Sequence, residues 1–241
     1  MLSSELKGKI AQAQDTLMSI GKRYGKESVF TTSFGAEDMV ITDIIKSLDM
    51  DIEVATIDTG RFHQETYEFI DMVVQFYGLS LKTYFPESRE VESMINRKGL
   101  NLFYYSTENR KMCCNVRKVG PLNRILEGRK AWITGLRAEQ SKFRQKMQRI
   151  EEDPVRGIVK ANPLINWKSS DVWAYIRDKG VPYNRLHDKG YPSIGCEPCT
   201  RAILPGEDER AGRWWWESDV KECGLHLSSQ EISNIHLKGV R

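Results

Sequence analysis

The chain alternates between two hydrophobic periodicities, one typical of amphipathic helices and the other of buried strands. Residues 4–20 place Leu6, Ile10, Ala13, Leu17 and Ile20 at steps of four and three, which predicts a helix with one apolar face. The run at 28–33 (SVFTTS) is rich in apolar and β-branched residues and predicts a buried strand. The same patterns predict further strands at 52–57, 79–85 and 131–134, and helices from 36 to about 48 and at 63–77, 88–97 and 108–127.

In the second half of the chain, predicted strands and helices continue to alternate as far as residue 178, and no long periodic element follows. Strands are predicted at 147–150 and 157–161, joined by the acidic segment 151–154, and a helix at 169–178. Ser169-Ser170-Asp171 is expected to cap that helix. Strands that alternate with helices predict an α/β fold with a doubly wound, mostly parallel sheet. Beyond Gly180 the chain is rich in Pro and Gly, so we expect a main domain at 1–205 followed by a tail at 206–241.

Length and composition are those of a globular protein. With 241 residues, 40% of them hydrophobic and 10% aromatic, the chain is long enough for a sizeable core, and disorder, collagen and coiled coil are excluded. No apolar run approaches the roughly 18 residues of a membrane span. The first residues have no apolar core of a signal peptide, and we therefore expect a cytoplasmic protein.

Charge is unevenly distributed along the chain. The total is only +3, but residues 110–149 contain 12 basic and 2 acidic residues. A basic stretch inside a nearly neutral protein predicts an anionic ligand held at one place. RNA is the competing anion, and charge alone does not separate the two.

Five cysteines divide into two close pairs and a single residue. Cys113 and Cys114 are adjacent, Cys196 and Cys199 form a C-x-x-C, and Cys223 stands alone. An odd number of cysteines in a chain that we expect to be cytoplasmic argues against a disulfide framework. The four paired cysteines instead predict a metal centre. Adjacent cysteines on a helix project about 100° apart, which is awkward for one zinc ion but suits different irons of a larger cluster. Geometry therefore favours a four-iron–four-sulfur (4Fe-4S) cluster over zinc.

Three turns after predicted strands are candidates for anion binding. The turn at 32–38 presents backbone N–H groups at a helix N-terminus, an arrangement that favours phosphate. It has neither a Walker A lysine nor the three glycines of a dinucleotide fingerprint. The turns at 58–61 and 135–137 are expected at the same edge of the sheet, where ligands bind in open α/β folds.

The C-terminal region contains the remaining candidate chemistry. Cys223 is flanked by charged residues and glycine, and a reactive thiol there would need cations nearby to lower its pKa. A harmless tail cysteine is the competing interpretation. The aromatic run 214–216 is expected to pack the tail onto the domain. His63 and His187 are more often structural hydrogen-bonding residues than ligands.

Taken in order, these motifs resemble the assimilatory adenylyl-sulfate (APS) reductases, the cluster-containing branch of the phosphoadenylyl-sulfate (PAPS) reductase family. The resemblance runs from Thr32 to His226. It rests on the segments at 33–38, 58–61 and 135–137, the four paired cysteines, the Gly-Arg-Trp-Trp-Trp-Glu at 212–217 and the Glu-Cys-Gly-Leu-His at 222–226. It implies an adenine-nucleotide α-hydrolase-like (PP-loop) fold. The implied reaction is thioredoxin-dependent reduction of APS to sulfite and AMP, through an S-sulfocysteine on Cys223.

The resemblance also implies roles for particular residues. The catalytic set comprises Cys223, His226, Lys118, Arg210 and Arg213, and Lys118 follows Cys114 by one helical turn. The substrate-binding set comprises Thr32, Ser33, Gly35, Ile57, Gly135, Arg137 and Arg144. The cluster ligands are Cys113, Cys114, Cys196 and Cys199. Thioredoxin or a similar dithiol protein is the implied partner, a homo-oligomer is compatible with the sequence, and neither membrane nor nucleic acid is expected as a partner.

Several alternatives stay open at this point. A PAPS reductase, or an enzyme that accepts both nucleotides, would use the same chemistry. A tRNA-thiolating PP-loop enzyme would explain the basic stretch, because its cations would bind RNA phosphates. A third alternative is a zinc-stabilised module that binds a nucleotide and catalyses no reaction. The turn at 33–37 departs from the Ser-Gly-Gly-x-Asp of ATP pyrophosphatases, which makes ATP cleavage doubtful.

Overall fold

A six-stranded sheet forms the centre of the molecule, in a computed structural model that describes residues 2–217. The strands are β1 (Ser28–Thr32), β2 (Glu53–Ile57), β3 (Leu81–Tyr84), β4 (Ala131–Ile133), β5 (Ile150–Asp153) and β6 (Ile158–Ala161). Their order is β3-β2-β1-β4-β6-β5, and all neighbours are parallel except β5 and β6. The predicted doubly wound, mostly parallel sheet is confirmed.

Seven α-helices accompany the sheet within residues 2–217. They are α1 (Ser4–Tyr24), α2 (Ala36–Ser47), α3 (Gln64–Tyr77), α4 (Ser88–Lys98), α5 (Thr107–Cys114), α6 (Gly120–Leu126) and α7 (Ser169–Lys179). Both faces of the central strands are covered. Phe30 of β1 faces a core formed with α1, α2, α3 and α7, whereas its neighbour Val29 packs with Leu122 and Ile125 of α6 on the opposite face. This two-sided burial explains why buried positions of β1 follow one another along the strand and do not alternate with exposed ones.

The strand order places a topological switch between β1 and β4. From β1 the chain proceeds outward through β2 and β3, then returns to add β4 on the other side of β1. The loops that leave the carboxyl ends of β1 and β4 therefore diverge and open a crevice, which is the usual ligand site of such sheets.

Two elements differ from the sequence prediction. The predicted helix at 108–127 is interrupted by a π-helical turn, Asn115–Val119, in which the Gly120 N–H donates to the Asn115 carbonyl. Pro121 follows this bond and has no N–H, so a regular ladder cannot continue there. The predicted strand at 147–150 was placed too early, since β5 starts at Ile150 and includes the acidic residues. An edge strand tolerates such charges, and Asp153 Oδ1 starts the turn by accepting the Val155 and Arg156 N–H groups.

The first part of the predicted tail packs against the domain. Trp214 is 1% exposed, and Arg213 is also buried. The Arg201 N–H donates to the Gly212 carbonyl and the Trp214 N–H to the Cys199 carbonyl, which ties residues 212–214 to the C-x-x-C loop. The aromatic run thus fastens this segment as predicted. Among the described residues, no helix combines the length and the apolarity that a bilayer crossing requires.

Candidate functional site

A cavity of about 220 Å³ opens at the carboxyl ends of β1, β2 and β4. The turn after β1, the turn after β4 and the segment around 209–213 form its walls. Of the predicted catalytic and substrate-binding residues, the cavity wall includes Thr32, Ser33, Gly35, Ile57, Gly135, Arg144, Lys118, Arg210 and Arg213. Three segments that are distant in the sequence thus meet where the sheet topology predicts a ligand.

The turn after β1 is shaped by its own polar side chains. Thr32 Oγ1 accepts the Phe34 N–H at 2.9 Å, and Asp38 Oδ2 accepts both the N–H and the hydroxyl of Ser33, at 2.6 and 2.8 Å. Phe34 adopts a positive φ of 59°, which turns the chain sharply into α2. Gly35 is the N-cap of α2 and makes no side-chain capping bond, so the first turn of the helix faces the cavity without a local cap.

Asp38 and Gly135 set the closest approach between the two turns. A Cβ on Gly135 would lie 2.1 Å from Asp38 Oδ1, so only glycine fits there. Burial raises the pKa of Asp38 from its ordinary value of 3.8 to about 6, although both Ser33 hydrogen bonds favour the ionised form. The role of Gly135 is therefore to let the β4 turn pass against a buried carboxylate.

Arg137 does not belong to the cavity wall. Its guanidinium is 2% exposed and forms ion pairs with Glu37 at 2.7 Å, Glu139 at 2.8 Å and Glu209 at 3.1 Å. Gln140 joins this hydrogen-bond network. Its side-chain amide N–H donates to Glu37, and its side-chain oxygen accepts from the Arg137 backbone N–H and from the Arg144 guanidinium. Arg137 thus lies one layer behind the cavity, in contact with carboxylates.

Cationic side chains line the end of the cavity near residues 193–213. Arg213 Nη1 donates to the Ser193 hydroxyl and the Ile194 carbonyl, each at 3.3 Å, and a Cβ on Gly195 would lie 2.4 Å from its Nη2. Lys118 and Arg210 lie on the same wall. Of the cationic residues in the basic stretch 110–149, Lys118 and Arg144 line the cavity. Four others form ion pairs with carboxylates elsewhere: Arg110, Arg124, Arg129 and Lys130.

The four paired cysteines meet beside this cavity. Cys113, Cys114, Cys196 and Cys199 are free thiols, each 7–8% exposed, and all line a second, small cavity of about 20 Å³. Phe103 and Trp214 pack against the cysteines, and four cationic residues also line the small cavity: Arg61, Arg110, Arg117 and Lys118. Lys118 lines both cavities. Within residues 2–217 no three His, Cys, Asp or Glu side chains form a ready site for a metal ion.

Polar contacts around the cysteines come from residues that the sequence analysis did not single out. Thr59 Oγ1 lies 3.2 Å from Cys196 Sγ, and the Thr59 carbonyl accepts from Arg117 Nη1 at 2.7 Å. Burial would raise the pKa of Cys196, but Lys118, Thr59 and Arg213 together bring it below its ordinary value. Burial and the nearby Cys196 instead raise the pKa of Cys199 to about 12.

A buried ion pair anchors the last described residues to the helix that bears the cysteine pair. Arg110 Nε donates to Glu217 Oε1 at 2.7 Å, with both side chains at most 5% exposed. The guanidinium also stacks 4.4 Å from the Trp214 ring centroid. No local signal could have revealed this pair, because its members are 107 positions apart.

The remaining candidates divide between the cavity and the undescribed region. His187 lines the cavity, and burial lowers its pKa, whereas His63 precedes α3 and does not line it. Cys223 and His226 lie outside the described residues.

Comparisons with known proteins agree with this architecture. Residues 27–202 match the family described as the phosphoadenosine phosphosulfate reductase domain. The adenosine 5'-phosphosulfate reductase of Burkholderia cepacia is 50% identical over 229 residues, covering 95% of this chain and 91% of that protein. The protein of the same name from Allochromatium vinosum is 53% identical over 199 residues, covering 82% and 78%.

Solved structures place the fold in the same group. The crystal structure of PAPS reductase from Candida auris in a phosphate complex has a TM-score of 0.68 and 30% identity, covering 84% of this chain and 98% of that one. Yeast FAD synthetase in complex with FAD has a TM-score of 0.60 at 16% identity, a likeness of fold alone. With a family match from residue 27 to 202 and relatives about half identical over most of its length, this chain belongs to the phosphoadenosine phosphosulfate reductase family.

Proposed function

We propose that the protein is an oxidoreductase that reduces APS to sulfite and AMP, with thioredoxin or a similar dithiol protein as electron donor. The observation that carries the proposal is the convergence of Lys118, Arg210 and Arg213 on the cavity that also holds the turn after β1. This pairing of a phosphate-binding turn with a cluster of cations suits a nucleotide whose phosphate bears a second anionic group. The names of relatives at about 50% identity support APS as the substrate.

The proposed chemistry uses two sulfur nucleophiles in turn. The Cys223 thiolate forms a bond to the sulfate sulfur, and the bond from that sulfur to the phosphate oxygen breaks, so that AMP leaves with the electron pair. The donor's first thiolate then attacks the Cys223 sulfur, and sulfite leaves with the electrons of the sulfur–sulfur bond. The donor's second thiol closes a disulfide and regenerates the Cys223 thiol. The dithiol is oxidised by two electrons as sulfate is reduced to sulfite.

The described side chains would supply binding and electrostatics for that chemistry. Thr32, Ser33, Gly35, Ile57 and Gly135 are proposed to hold the nucleotide. Arg144 is proposed to contact the α-phosphate, and Lys118, Arg210 and Arg213 the sulfate, with His226 as a further contact. Cations are needed there because the thiolate must approach a group that is already negative. AMP is a stable leaving group, so no general base is needed to activate water.

The cysteine quartet fits an iron–sulfur centre. The four thiols are reduced, buried and line one small cavity, and four thiolates are a donor set that such clusters use. We propose that Cys113, Cys114, Cys196 and Cys199 hold a 4Fe-4S cluster. When bound, the cluster would order the helix of Lys118 and adjust the electrostatic potential beside the sulfate, while the reducing electrons come from thiols.

PAPS is a second candidate substrate, because the Candida auris structure is named a PAPS reductase. Its extra 3′-phosphate would need a further cationic contact. The two relatives named for APS are 50% and 53% identical to this chain, against 30% for the PAPS reductase, which favours APS.

The full chain, purified without oxygen, tests the proposal. We expect the broad visible absorbance of an iron–sulfur centre and sulfite release from APS in the presence of thioredoxin, with PAPS assayed separately. Cys223→Ser should keep the iron and the colour but release no sulfite, whereas Cys196→Ser should lose the iron. The proposal fails if the wild type releases sulfite from neither nucleotide, or if a stable S-sulfo adduct forms on another cysteine.

A further inference from the structure

The cavity contains an electrostatic conflict. A phosphosulfate ligand is anionic, yet three carboxylate side chains, Glu37, Asp38 and Glu209, contribute to the cavity wall. Asp38 accepts hydrogen bonds from Ser33, whereas Glu37 and Glu209 form ion pairs. Glu37 is 17% exposed and Glu209 38% exposed, so neither carboxylate is fully screened by water. Negative charge on the wall of a cavity weakens the binding of an anion there, most strongly where water screens the charge least.

Arg137 forms hydrogen bonds with the carboxylates of both Glu37 and Glu209. Its Nε donates to Glu37 and its Nη2 to Glu209, while Nη1 is occupied by Glu139. Burial alone would lower the pKa of Arg137, but pairing with Glu37 and Glu209 raises it above its ordinary value, so the group stays charged. Only the planar fork of a guanidinium presents three donors in these directions.

The same guanidinium links separate parts of the site. Glu37 belongs to the first turn of α2, and Glu209 precedes Arg210 in the segment that closes the cavity. Glu139, held on the third side, also accepts the Ser169 N–H at the start of α7, at 2.7 Å. Arg137 therefore orients the carboxylates of Glu37 and Glu209, and through Glu209 the backbone next to Arg210.

We propose that Arg137 is a positioning residue for the anionic substrate: by forming ion pairs with Glu37 and Glu209, it offsets the negative charge that these two side chains bring to the cavity wall. The proposal rests on the proposed function for the identity of the substrate. It replaces the expectation that Arg137 contacts the nucleotide directly with a role one layer further out.

Arg137→Gln, which keeps the length and polarity of the side chain but removes its charge, is the test. We expect the KM for APS and the Kd for AMP, measured by calorimetry, to rise by about tenfold or more, with kcat changed by less than about threefold. Both increases should shrink at high ionic strength, because they arise from unpaired charge. Adding Glu37→Gln and Glu209→Gln to this variant should bring both constants back to within about threefold of the wild type.

Arg156→Gln is the matched control. Arg156 pairs with Asp153 in the β5–β6 hairpin at 2.8 Å, and its side chain is 10% exposed and does not line the cavity. Its loss should leave KM and the AMP affinity unchanged. If Arg137→Gln does not fold, Arg137→Lys tests the same claim, since it keeps the charge without the fork. Its AMP affinity should fall and should recover when Glu209→Gln is added.

The outcomes separate this inference from the proposed function. Unchanged AMP binding in Arg137→Gln, or a loss that removal of the two carboxylates does not reverse, would overturn the role of Arg137. A wild type that binds AMP but releases no sulfite would instead refute the proposed function, and the inference would then be judged on AMP binding alone.

Discussion

Asp38 gives this protein a pH-dependent stability that can be calculated from its surroundings. The carboxyl is buried between the turns after β1 and β4, and its pKa rises from 3.8 to about 6 on folding. The folded state therefore holds this proton more tightly than the unfolded state does. The resulting contribution to stability is fully present below the unfolded pKa and is lost as the pH rises through the folded pKa.

The magnitude follows from the difference between the two pKa values. At about 1.4 kcal/mol per pKa unit, a rise from 3.8 to about 6 corresponds to about 3 kcal/mol in total. Integrating the linkage relation, about 2 kcal/mol of this falls between pH values of about 4.5 and 8. Solvent screens this carboxyl group little, because Asp38 is only 8% exposed.

Asp38→Asn isolates this effect. Asparagine can place its carbonyl oxygen where Oδ2 accepts both Ser33 hydrogen bonds, but it does not titrate. Urea unfolding of both proteins across this pH range should show the wild type losing about 2 kcal/mol relative to the variant.

Ser33→Ala provides a second, directional check. The Ser33 hydroxyl favours the ionised carboxylate, so its removal should raise the folded pKa of Asp38 and shift the loss of stability to higher pH. A stability difference between wild type and Asp38→Asn that stays constant with pH, within about 0.5 kcal/mol, would refute the reasoning.

Two further substitutions test the packing of the site. Gly135→Ala would place a methyl group 2.1 Å from Asp38 Oδ1, so we expect a loss of about 1–3 kcal/mol in unfolding free energy together with weaker AMP binding by calorimetry. Gly8→Ala, where no atom lies within 4 Å, is its control, and equal effects of the two would contradict the steric argument. Arg110→Met removes one partner of the buried pair with Glu217, and urea unfolding should show a loss of about 3 kcal/mol. Adding Glu217→Gln should recover part of that loss, and a loss below about 1 kcal/mol for Arg110→Met alone would show that the pair is dispensable.

Local patterns were sufficient for much of the fold. The four-and-three spacing of Leu6, Ile10, Ala13, Leu17 and Ile20 predicted α1, and four of these residues are buried while Ile10 is half-buried. The apolar and β-branched residues at 28–33 predicted β1 as a buried strand, and its side chains are buried on both faces of the sheet. The acidic residues 151–153 were misread as a turn because charge is a weak guide on an edge strand.

Nine of the predicted catalytic and substrate-binding residues line the cavity, and their roles stay predictions. Arg137 was expected to touch the nucleotide, yet its guanidinium is occupied by three carboxylates from separate segments. Asp38 and Gly135 were both visible in motifs, but nothing in their order revealed the contact between them.

The sequence by itself determined the alternation of strands and helices, the turns that follow the strands, and the supply of thiols and cations. Each of these depends on residues a few positions apart, whose spacing fixes which face of a helix or strand they occupy. Only the tertiary structure decided which charges are paired and which face the cavity. Arg110 meets Glu217 and Arg137 meets Glu209 across 107 and 72 positions, and such pairs form only after the sheet and its helices have packed.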